Sequence, residues 1–336
     1  LKALRVHPDW KNNINRDALA LYMRHNYITA PNSIYQNIYK LTPGTVLHLP
    51  YSIRPGELPD PLPYWKLKDV AEYGNNNPVD LSDDEAINRL DKLLRESIRN
   101  QMISDVPLGA FLSGGYDSSA VVALMQAESD QKIKTFSIGF HEEAYNEAHH
   151  AKKVASHLGT DHTELYVTPQ QAMDVIPRLP HLYDEPFSDS SQIPTFLVSE
   201  MTREYVTVSL SGDGGDEIFA GYERYFFANS LWKKIRRIPY PLRKALASGI
   251  KGVKPATLNA SLQWLSPYLS SYGGQGSFGD KLQKGADLLL FNTFEELYLR
   301  LISHWKDMEN LVLHSEDPLS PLTDHSLWAD LSDNIQ

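Results

Sequence analysis

The sequence has 336 residues, of which 22% are charged and 42% hydrophobic, and this balance is typical of globular domains and excludes a disordered chain. Asp and Glu number 42 against 32 Lys and Arg, and the resulting net charge of -10 argues against general nucleic-acid binding. Because the sequence contains no cysteine, disulfides, thiolate metal sites and cysteine nucleophiles are excluded from these residues. No apolar run approaches the roughly 20 residues of a membrane-spanning helix, so we expect no membrane span.

The amino-terminal part of the chain combines one short helix with turn-rich sequence. The spacing of apolar residues predicts a helix over 17–24, and a strand-like alternation predicts a strand over 45–49. The following stretch, 50–63, is rich in proline, which is typical of a linker. We place a domain boundary near residues 66–80, where the Gly-, Asn- and Pro-rich sequence of 74–78 predicts a loop.

A long helix is predicted to open the second part of the chain. Ser82 and Glu85 form a capping-box pattern, in which the serine side chain caps the helix and the glutamate reaches back to the serine backbone. Apolar residues then recur at helical spacing from Ile87 to Ile98. This pattern predicts one apolar face that packs on the protein core.

Strand-like and helix-like segments alternate from residue 106 onward. Strands are predicted over 106–112, 134–140, 162–167 and 205–210, and helices over 120–127, 147–158, 170–182 and 193–204. The alternation predicts an α/β fold with a parallel sheet and helices on both faces. Because such sheets bind ligands at the carboxyl ends of their strands, we expect the site in the loops that follow. The glycine-rich run 273–279 is interpreted as a surface loop, and the sequence after Leu288 as helical.

The loop after the first of these strands has the composition of a phosphate-binding loop. It reads F-L-S-G-G-Y-D-S-S from Phe111 to Ser119. Its adjacent glycines allow the backbone to approach a ligand closely, and the amides that open the next helix attract an anion. Asp117 would repel a phosphate unless a cation lay between them, which points to Mg²⁺. A plain glycine turn is the alternative interpretation.

A second loop, rich in glycine and acidic residues, follows the last predicted strand. It reads S-G-D-G-G-D-E-I-F-A-G-Y over 211–222. Asp213, Asp216 and Glu217 would repel one another at this spacing, so some of them are expected to bind a metal or lie near cationic groups. Helix N-capping, which also favours acidic residues, is the alternative.

Both loops resemble motifs of a known family. The first resembles the PP-loop, S-G-G-x-D-S, of the ATP pyrophosphatase superfamily, and the second resembles the S-G-[DE]-G-x-D-E-x-F-x-G-Y signature of glutamine-hydrolysing asparagine synthetases. Segments 135–140, 184–191 and 38–44 also resemble the adenine-binding strand, the bacterial loop before the second motif and the end of the glutaminase domain in that family. The resemblance implies an adenine nucleotide alpha hydrolase-like fold. Residues 1–68 would be the remnant of an Ntn-type glutaminase domain with its linker, and 69–336 an incomplete asparagine synthetase domain with a helical carboxyl-terminal region.

The resemblance implies where ATP and Mg²⁺ would bind. Ser113, Asp117 and Ser118 would hold the pyrophosphate and its Mg²⁺, and Asp216 would be a second carboxylate on the metal side. The adenosine end would lie against the strand ends that precede the two loops. The predicted ATP-binding residues are Phe111, Leu112, Ser113, Gly114, Gly115, Asp117, Ser118, Ser119, Ile138, Ser211 and Gly212.

The resemblance also implies a reaction. ATP would convert aspartate into β-aspartyl-AMP with release of pyrophosphate, and ammonia obtained from glutamine would then displace AMP and leave asparagine. Asp213 would handle the acyl-adenylate and the incoming ammonia, so Asp213 and Asp117 are the predicted catalytic residues. Glu185 and Asp189 are weaker predictions for binding of the acceptor acid.

The resemblance also implies partners for the protein and leaves alternative functions open. The partners would be aspartate, ATP and glutamine or ammonia in the cytoplasm, with no nucleic acid or membrane, and the resemblance is compatible with a homodimer. One alternative is an amide-forming ligase of the same family that acts on another carboxylic acid, and another is a nucleotide-binding fragment without catalysis. The acidic charge disfavours a tRNA-modifying PP-loop enzyme. Because the catalytic cysteine and the D-R-x-S-M-A motif of the family do not occur, we expect a fragment truncated at both ends.

Overall fold

The structure is a computed structural model of the chain. It describes residues 1–141, 146–262, 278–305, 307–316, 320 and 323–324. Most of the predicted glycine loop, 273–277, lies outside the described residues, and a helix begins at Phe278. None of the helices in the described part of the chain combines the length and the apolar character that crossing a bilayer requires.

The order of helices and strands follows the prediction through the central part of the chain. The strands are β1 (Thr45–Val46), β2 (Leu62–Pro63), β3 (Leu108–Phe111), β4 (Lys134–Phe140), β5 (Asp161–Val167) and β6 (Val208–Leu210). The helices before β6 are α1 (Arg16–His25), α2 (Leu67–Asn76), α3 (Asp83–Gln101), α4 (Tyr116–Ala127), α5 (Ala148–Leu158), α6 (Pro169–Val175), α7 (Leu179–Leu182) and α8 (Gln192–Thr202). The later helices are α9 (Gly215–Phe219), α10 (Glu223–Ile235), α11 (Tyr240–Lys251), α12 (Pro255–Leu262), α13 (Phe278–Leu288), α14 (Phe294–Ile302) and α15 (Met308–Leu311).

The central sheet is parallel and has the strand order β5-β4-β3-β6. Ala110 of β3 is paired with Thr135 of β4 on one side and with Leu210 of β6 on the other. The chain therefore leaves β3 first toward β4 and β5 and returns to the opposite side of β3 with β6. This reversal makes the carboxyl ends of β3 and β6 the point at which a parallel sheet opens a crevice for a ligand.

Both faces of the sheet are covered by helices, as the alternation predicts. On one face Ala110 and Leu112, both essentially inaccessible to solvent, lie in a cluster with apolar side chains of α3, α4 and α5. On the other face Phe136 packs against Val198 of α8, and Phe111 joins that cluster. Adjacent residues of β3 point to opposite faces because the side chains of a strand alternate.

Helix α3 forms as predicted at its start, but its apolar face is only partly covered. The Ser82 hydroxyl accepts from the Glu85 amide, and the Glu85 carboxylate accepts from the Ser82 amide at 2.9 Å, which completes the capping box. Ile98 is buried, whereas Ile87 and Leu90 are 63% and 39% exposed. The prediction that the whole face packs on the core is therefore wrong. A helix of 19 residues is about 28 Å long, and only its carboxyl-terminal turns contact the sheet cluster.

The prediction of a loop over 74–78 is also wrong for its first half, because α2 continues to Asn76. An ion pair between Lys68 and Glu72, one helical turn apart, supports this helix. Asn77 ends it by donating its backbone and side-chain N–H groups to the Tyr73 carbonyl. The Gly- and Asn-rich sequence therefore ends the helix rather than replacing it.

The amino-terminal part has a small core of its own, formed by Ala18, Ile28 and Ile34. Its helix α1 lies at the predicted place, whereas the predicted strand 45–49 is reduced to β1. The opposite side of α1 packs on Met308 and Val312 at the carboxyl-terminal end of the described chain. The division of the chain at residue 68 stays a prediction.

His162 predicts a pH dependence of stability. The residue belongs to β5. Its ring nitrogen Nδ1 is 2.9 Å from the Thr135 hydroxyl, and Nε2 is 3.3 Å from the Ser137 hydroxyl. Burial lowers the pKa of His162 below its ordinary value of 6.5, although the nearby Glu164 carboxylate opposes this. The unfolded chain therefore binds a proton at a pH at which the folded chain does not, so that stability falls as the pH drops through about 6.5.

We expect His162→Gln to make the free energy of unfolding less dependent on pH in this range, because the glutamine side chain does not titrate. Urea denaturation at several pH values between about 5.5 and 7.5 measures the slope. The same substitution at exposed His157 serves as the control and should leave the slope as it is in the wild-type chain. Equal slopes for the His162→Gln variant and the wild type would contradict the assignment.

Candidate nucleotide-binding cleft

A cleft of about 980 Å³ opens at the carboxyl ends of β3, β4 and β6. It lies at the reversal of strand order, where the fold predicts a ligand site. The cleft is lined by Phe111, Leu112, Ser113, Gly115, Tyr116, Asp117, Ser118, Phe136, Ser137, Ile138, Phe140, Glu147, Ser190, Ser191, Pro194, Thr195, Val198, Ser211, Gly212, Asp213, Asp216 and Gly221. Both loops singled out in the sequence therefore contribute to one cavity.

The first loop presents the start of α4 to the cleft. Gly115 is the N-cap residue, and no side chain accepts from the amides of the first turn. These amides, together with the positive end of the helix dipole, are available to an anion. Ser113 and Ser118 close the loop, because the Ser113 amide donates to Ser118 Oγ at 3.2 Å and the two hydroxyl oxygens are 2.9 Å apart.

Gly114 allows the first loop to rest on the start of α5. Its φ of +85° lies in the left-handed region that favours glycine. A Cβ atom at this position would lie 2.6 Å from the Ala151 amide nitrogen and 2.8 Å from the His150 carbonyl carbon. These neighbours are backbone atoms and cannot rotate away, so both the conformation and the space at this position require glycine.

The second loop is packed directly on the first. A Cβ at Gly212 would lie 2.7 Å from the Ser118 amide nitrogen, and a Cβ at Gly215 would lie 2.5 Å from Cγ of Asp117. The two loops therefore interlock, with the backbone of the second loop against the carboxylate of the first. This contact brings Asp216, the next residue, to the same part of the cleft as Asp117.

The acidic residues of the second loop differ in their contacts. The Asp213 carboxylate accepts from the Ser211 hydroxyl at 3.0 Å, and Asp213 remains exposed to the cleft. The Asp216 side chain lies against Gly221, whose amide donates to the Asp216 carbonyl at 2.9 Å. Glu217 is not among the lining residues.

Glu217 instead binds the last tyrosine of the second motif. The Tyr222 hydroxyl donates to Glu217 at 2.8 Å. This hydrogen bond to a carboxylate raises the pKa of Tyr222 to about 12. The contact turns Glu217 away from the cleft and joins the start of α9 to the residue that precedes α10.

The charge of the cleft matches a magnesium nucleotide. Among its described lining residues, Asp117, Glu147, Asp213 and Asp216 are acidic and none is lysine or arginine. The part of the chain that the structure describes contains no group of three or more His, Cys, Asp or Glu side chains that could hold a metal by itself. The donor set therefore fits Mg²⁺, which commonly takes one or two carboxylates and completes its ligands with water and phosphate oxygens.

The other end of the cleft is apolar. Phe111 and Ile138 reach it from β3 and β4, and Pro194 and Val198 of α8 form the facing wall. An aromatic and aliphatic lining suits a flat heterocycle, because the ring is desolvated there. The cleft thus combines an apolar end with a polar end that offers amides, hydroxyls and carboxylates.

The structure brings most of the predicted site residues together. All predicted ATP-binding residues line the cleft except Gly114, which supports the loop from behind, and Ser119, whose hydroxyl is buried without a hydrogen-bond partner. Glu185 and Asp189 lie outside the cleft. The Glu185 carboxylate accepts from Lys40, and the Asp189 carboxylate accepts from the Ser191 amide at 2.7 Å.

Sequence reasoning missed part of the lining. Tyr116 occupies the variable position of the first motif, and Glu147 was interpreted only as the start of a helix. The wall formed by Ser190, Ser191 and Thr195 also had no assigned role. The two serines are the last residues of segment 184–191, and the resemblance of that segment to a family loop was the signal that could have identified them.

Comparisons with known proteins decide the family. The family model described as asparagine synthase matches residues 89–332. The chain belongs to the asparagine synthase family. A second model, described as a glutamine amidotransferase domain, matches residues 1–56. The two matched ranges leave residues 57–88 between them, which hold the end of the proline-rich stretch, α2 and the start of α3.

Proteins named glutamine-hydrolysing asparagine synthetases match about two thirds of the chain. A putative glutamine-hydrolysing asparagine synthetase of Methanocaldococcus jannaschii is 40% identical over 240 residues, which cover 69% of this chain and 43% of that protein. Glutamine-hydrolysing asparagine synthetase 1 of Bacillus subtilis is 34% identical over 233 residues, with coverages of 69% and 35%. The chain thus spans less than half the length of these relatives.

Among solved structures, the NH3-dependent NAD synthetase from Campylobacter jejuni in complex with nitrate is similar to part of the chain. It superposes with a TM-score of 0.29 at 12% identity and covers 42% of this chain and 61% of that chain. The likeness is too partial to carry an argument about the site.

Proposed function

We propose that this chain carries the ATP-dependent half of an asparagine synthetase, which amidates aspartate with ammonia that the whole protein obtains from glutamine. The observation that carries the proposal is the interlocking of the two loops at Gly212 and Gly215, which puts Asp117, Asp213 and Asp216 into one cleft with the start of α4. The family membership and the glutamine amidotransferase match support the same reaction.

The proposed binding mode follows from the two ends of the cleft. The adenine would lie between Phe111, Ile138 and the wall of α8, and the phosphates would lie over the open amides of α4 beside Ser113 and Ser118. Asp117 and Asp216 are the residues that would hold Mg²⁺, which when bound supplies neutralisation of the phosphate charge.

The proposed reaction has two displacements. The side-chain carboxylate of aspartate attacks the α-phosphorus of ATP, and the bond from that phosphorus to the oxygen that bridges the α and β phosphates breaks. Pyrophosphate is released, and β-aspartyl-AMP is formed. Ammonia then attacks the activated carbonyl carbon, the bond between that carbon and the AMP oxygen breaks, and asparagine and AMP remain. The cleft contributes chiefly by holding the reactants in line and by balancing charge.

Asp213 is proposed to accept the proton that ammonia loses when it adds. Its carboxylate is exposed to the cleft and accepts only from Ser211 among the hydrogen bonds found for it. In the presence of free ammonia, Asp213→Asn should slow asparagine formation by about 100-fold or more, because positioned proton acceptors contribute at least that much. Asp213→Glu keeps a carboxylate and should retain most of the rate. Turnover of the Asp213→Asn variant equal to that of the wild type would exclude this role.

The acceptor acid can be tested directly. Aspartate and, in separate reactions, other carboxylic acids are incubated with ATP, Mg²⁺ and ammonia. The amounts of AMP, pyrophosphate and amide formed are then measured. The proposal expects aspartate to yield equal amounts of AMP and asparagine. Amide formation from a different acid would favour a ligase of the same family with another substrate, and ATP binding without AMP release would favour a nucleotide-binding role. We also propose that the reaction takes place in the cytoplasm.

A further inference from the structure

The loop of residues 183–191 connects the amino-terminal part of the chain to the nucleotide cleft. Residues 183–191 join α7 to α8, and the chain of this loop continues directly into the wall of the cleft through Ser190, Ser191 and the first turn of α8. Its earlier residues bind segment 26–40, which follows α1. The loop therefore touches both parts of the molecule within a few residues.

The strongest of these contacts is made by Glu185. One carboxylate oxygen accepts from the Ile34 amide at 2.8 Å, and the other accepts from Lys40 Nζ at 2.7 Å. The side chains of Lys40 and Glu185 are only 33% and 15% exposed. A pair that is shielded from water to this extent is weakened less by salt and by competing water than a surface pair, and loss of one partner leaves the other charge poorly solvated.

Further contacts hold the same loop at Ser188. Its amide donates to the Asn26 carbonyl at 2.9 Å, and its hydroxyl is 2.9 Å from the Tyr22 hydroxyl. Two residues later the chain enters the cleft, where Asp189 fixes the turn by accepting from the Ser191 amide. The cleft wall is thus joined to the amino-terminal part through a short stretch of chain that is hydrogen-bonded at Glu185 and Ser188.

The segment that holds the loop is itself firmly built. Ile28 and Ile34 are buried in the small core with Ala18 of α1. Because the Ile34 side chain is anchored there, its amide is a fixed donor for Glu185. Lys40 lies in the same part of the chain that matches the glutamine amidotransferase domain model.

We infer that Lys40 and Glu185 are positioning residues for the nucleotide cleft. Through them the amino-terminal part fixes the wall formed by Ser190, Ser191 and α8, so that the two parts of the chain are mechanically coupled at the site where ATP would bind. Insofar as the wall faces ATP, the inference rests on the proposed function. The coupling itself concerns the loop and can be measured without nucleotide.

The first test measures the loop alone. Lys40→Met removes the charge and keeps the length of the side chain, and Glu185→Gln keeps an acceptor for Ile34 while removing the charge. In both variants we expect amide hydrogen exchange across residues 188–195 to become about fivefold faster or more, because the local opening of this wall costs less. Lys40→Arg restores a donor to the carboxylate and should keep exchange near the wild-type rate.

A matched control separates this effect from the loss of any ion pair. Lys134→Met breaks the pair of Lys134 with Asp161, whose atoms are 2.9 Å apart, at the start of β4 and away from the cleft. It should leave exchange at 188–195 unchanged. Wild-type exchange across this stretch in both Lys40→Met and Glu185→Gln would overturn the inference.

The second test adds the nucleotide. Calorimetric titration with ATP and Mg²⁺ should show about five- to tenfold weaker binding in Lys40→Met than in the wild type, and wild-type affinity in Lys40→Arg. Unchanged affinity together with unchanged exchange would overturn the inference. A wild-type chain that binds no ATP would contradict the proposed function, and the exchange data would then decide the coupling by themselves.

Discussion

Gly114→Ala is expected to lose both stability and nucleotide binding. The φ of +85° alone costs a non-glycine residue about 1–2 kcal/mol. The added Cβ must also displace the backbone at the start of α5, because it would lie 2.6 Å from the Ala151 amide nitrogen. The loop has to lift off α5, and the amides at the start of α4 then no longer converge on the phosphate position.

Gly159 provides a matched control for this substitution. It also has a positive φ, of +73°, but a Cβ there would meet no atom within 4 Å. Gly159→Ala therefore carries the conformational strain without the collision. Thermal unfolding should show a clearly larger loss of Tm for Gly114→Ala, and only that variant should lose ATP affinity in a calorimetric titration. Equal losses in the two variants would mean that the contact with α5 does not matter.

Asp117→Asn is expected to weaken the dependence of nucleotide binding on Mg²⁺. In the wild-type cleft, four carboxylates and no basic side chain line the described wall, so we expect free ATP to be repelled and its magnesium complex to be preferred. The amide of asparagine removes one negative charge from the place against which Gly215 is packed. ATP in the presence of EDTA should therefore bind more tightly to the variant than to the wild type, and ATP with Mg²⁺ more weakly.

The same variant should lose about 100- to 1,000-fold in AMP formation, which is the usual cost of removing one group that balances charge in a transition state. Asp130→Asn changes the net charge equally at an exposed turn after α4 and serves as the control, with expected wild-type behaviour in both assays. A Mg²⁺ dependence of ATP binding that is unchanged in Asp117→Asn would show that this carboxylate does not hold the metal.

Much of the fold can be predicted from sequence because its signals are local. The bounds of β4 agree with the prediction, since Phe136, Ile138 and Phe140 alternate with other residues as the side chains of a strand do. The two loops were found because each combines glycine, hydroxyl and carboxylate groups directly after a strand. Their placement in one cleft follows from the reversal of strand order, which the sequence alone does not specify.

The wrong predictions concern which other parts of the chain pack against a residue, and these parts are distant in the sequence. Nothing local distinguishes Ile87 and Leu90 of α3, which are exposed, from Ile98, which is buried. The helical pattern shows which residues share a face, but not how far the neighbouring layer extends. For the same reason the sequence could not reveal that Glu185 meets Lys40, 145 positions away in the chain, or that Glu147 lines the cleft.

The hydrogen bond between the hydroxyls of Ser113 and Ser118 has a consequence for the thermodynamics of binding. Because these groups and the Ser113 amide already satisfy one another at 2.9 Å and 3.2 Å, the loop is held in one conformation before any ligand arrives. A phosphate that enters would exchange these bonds for its own and would not have to order a flexible segment. The entropy lost on binding is then mainly that of the ligand, which is how a rigid receptor site keeps the cost of association low.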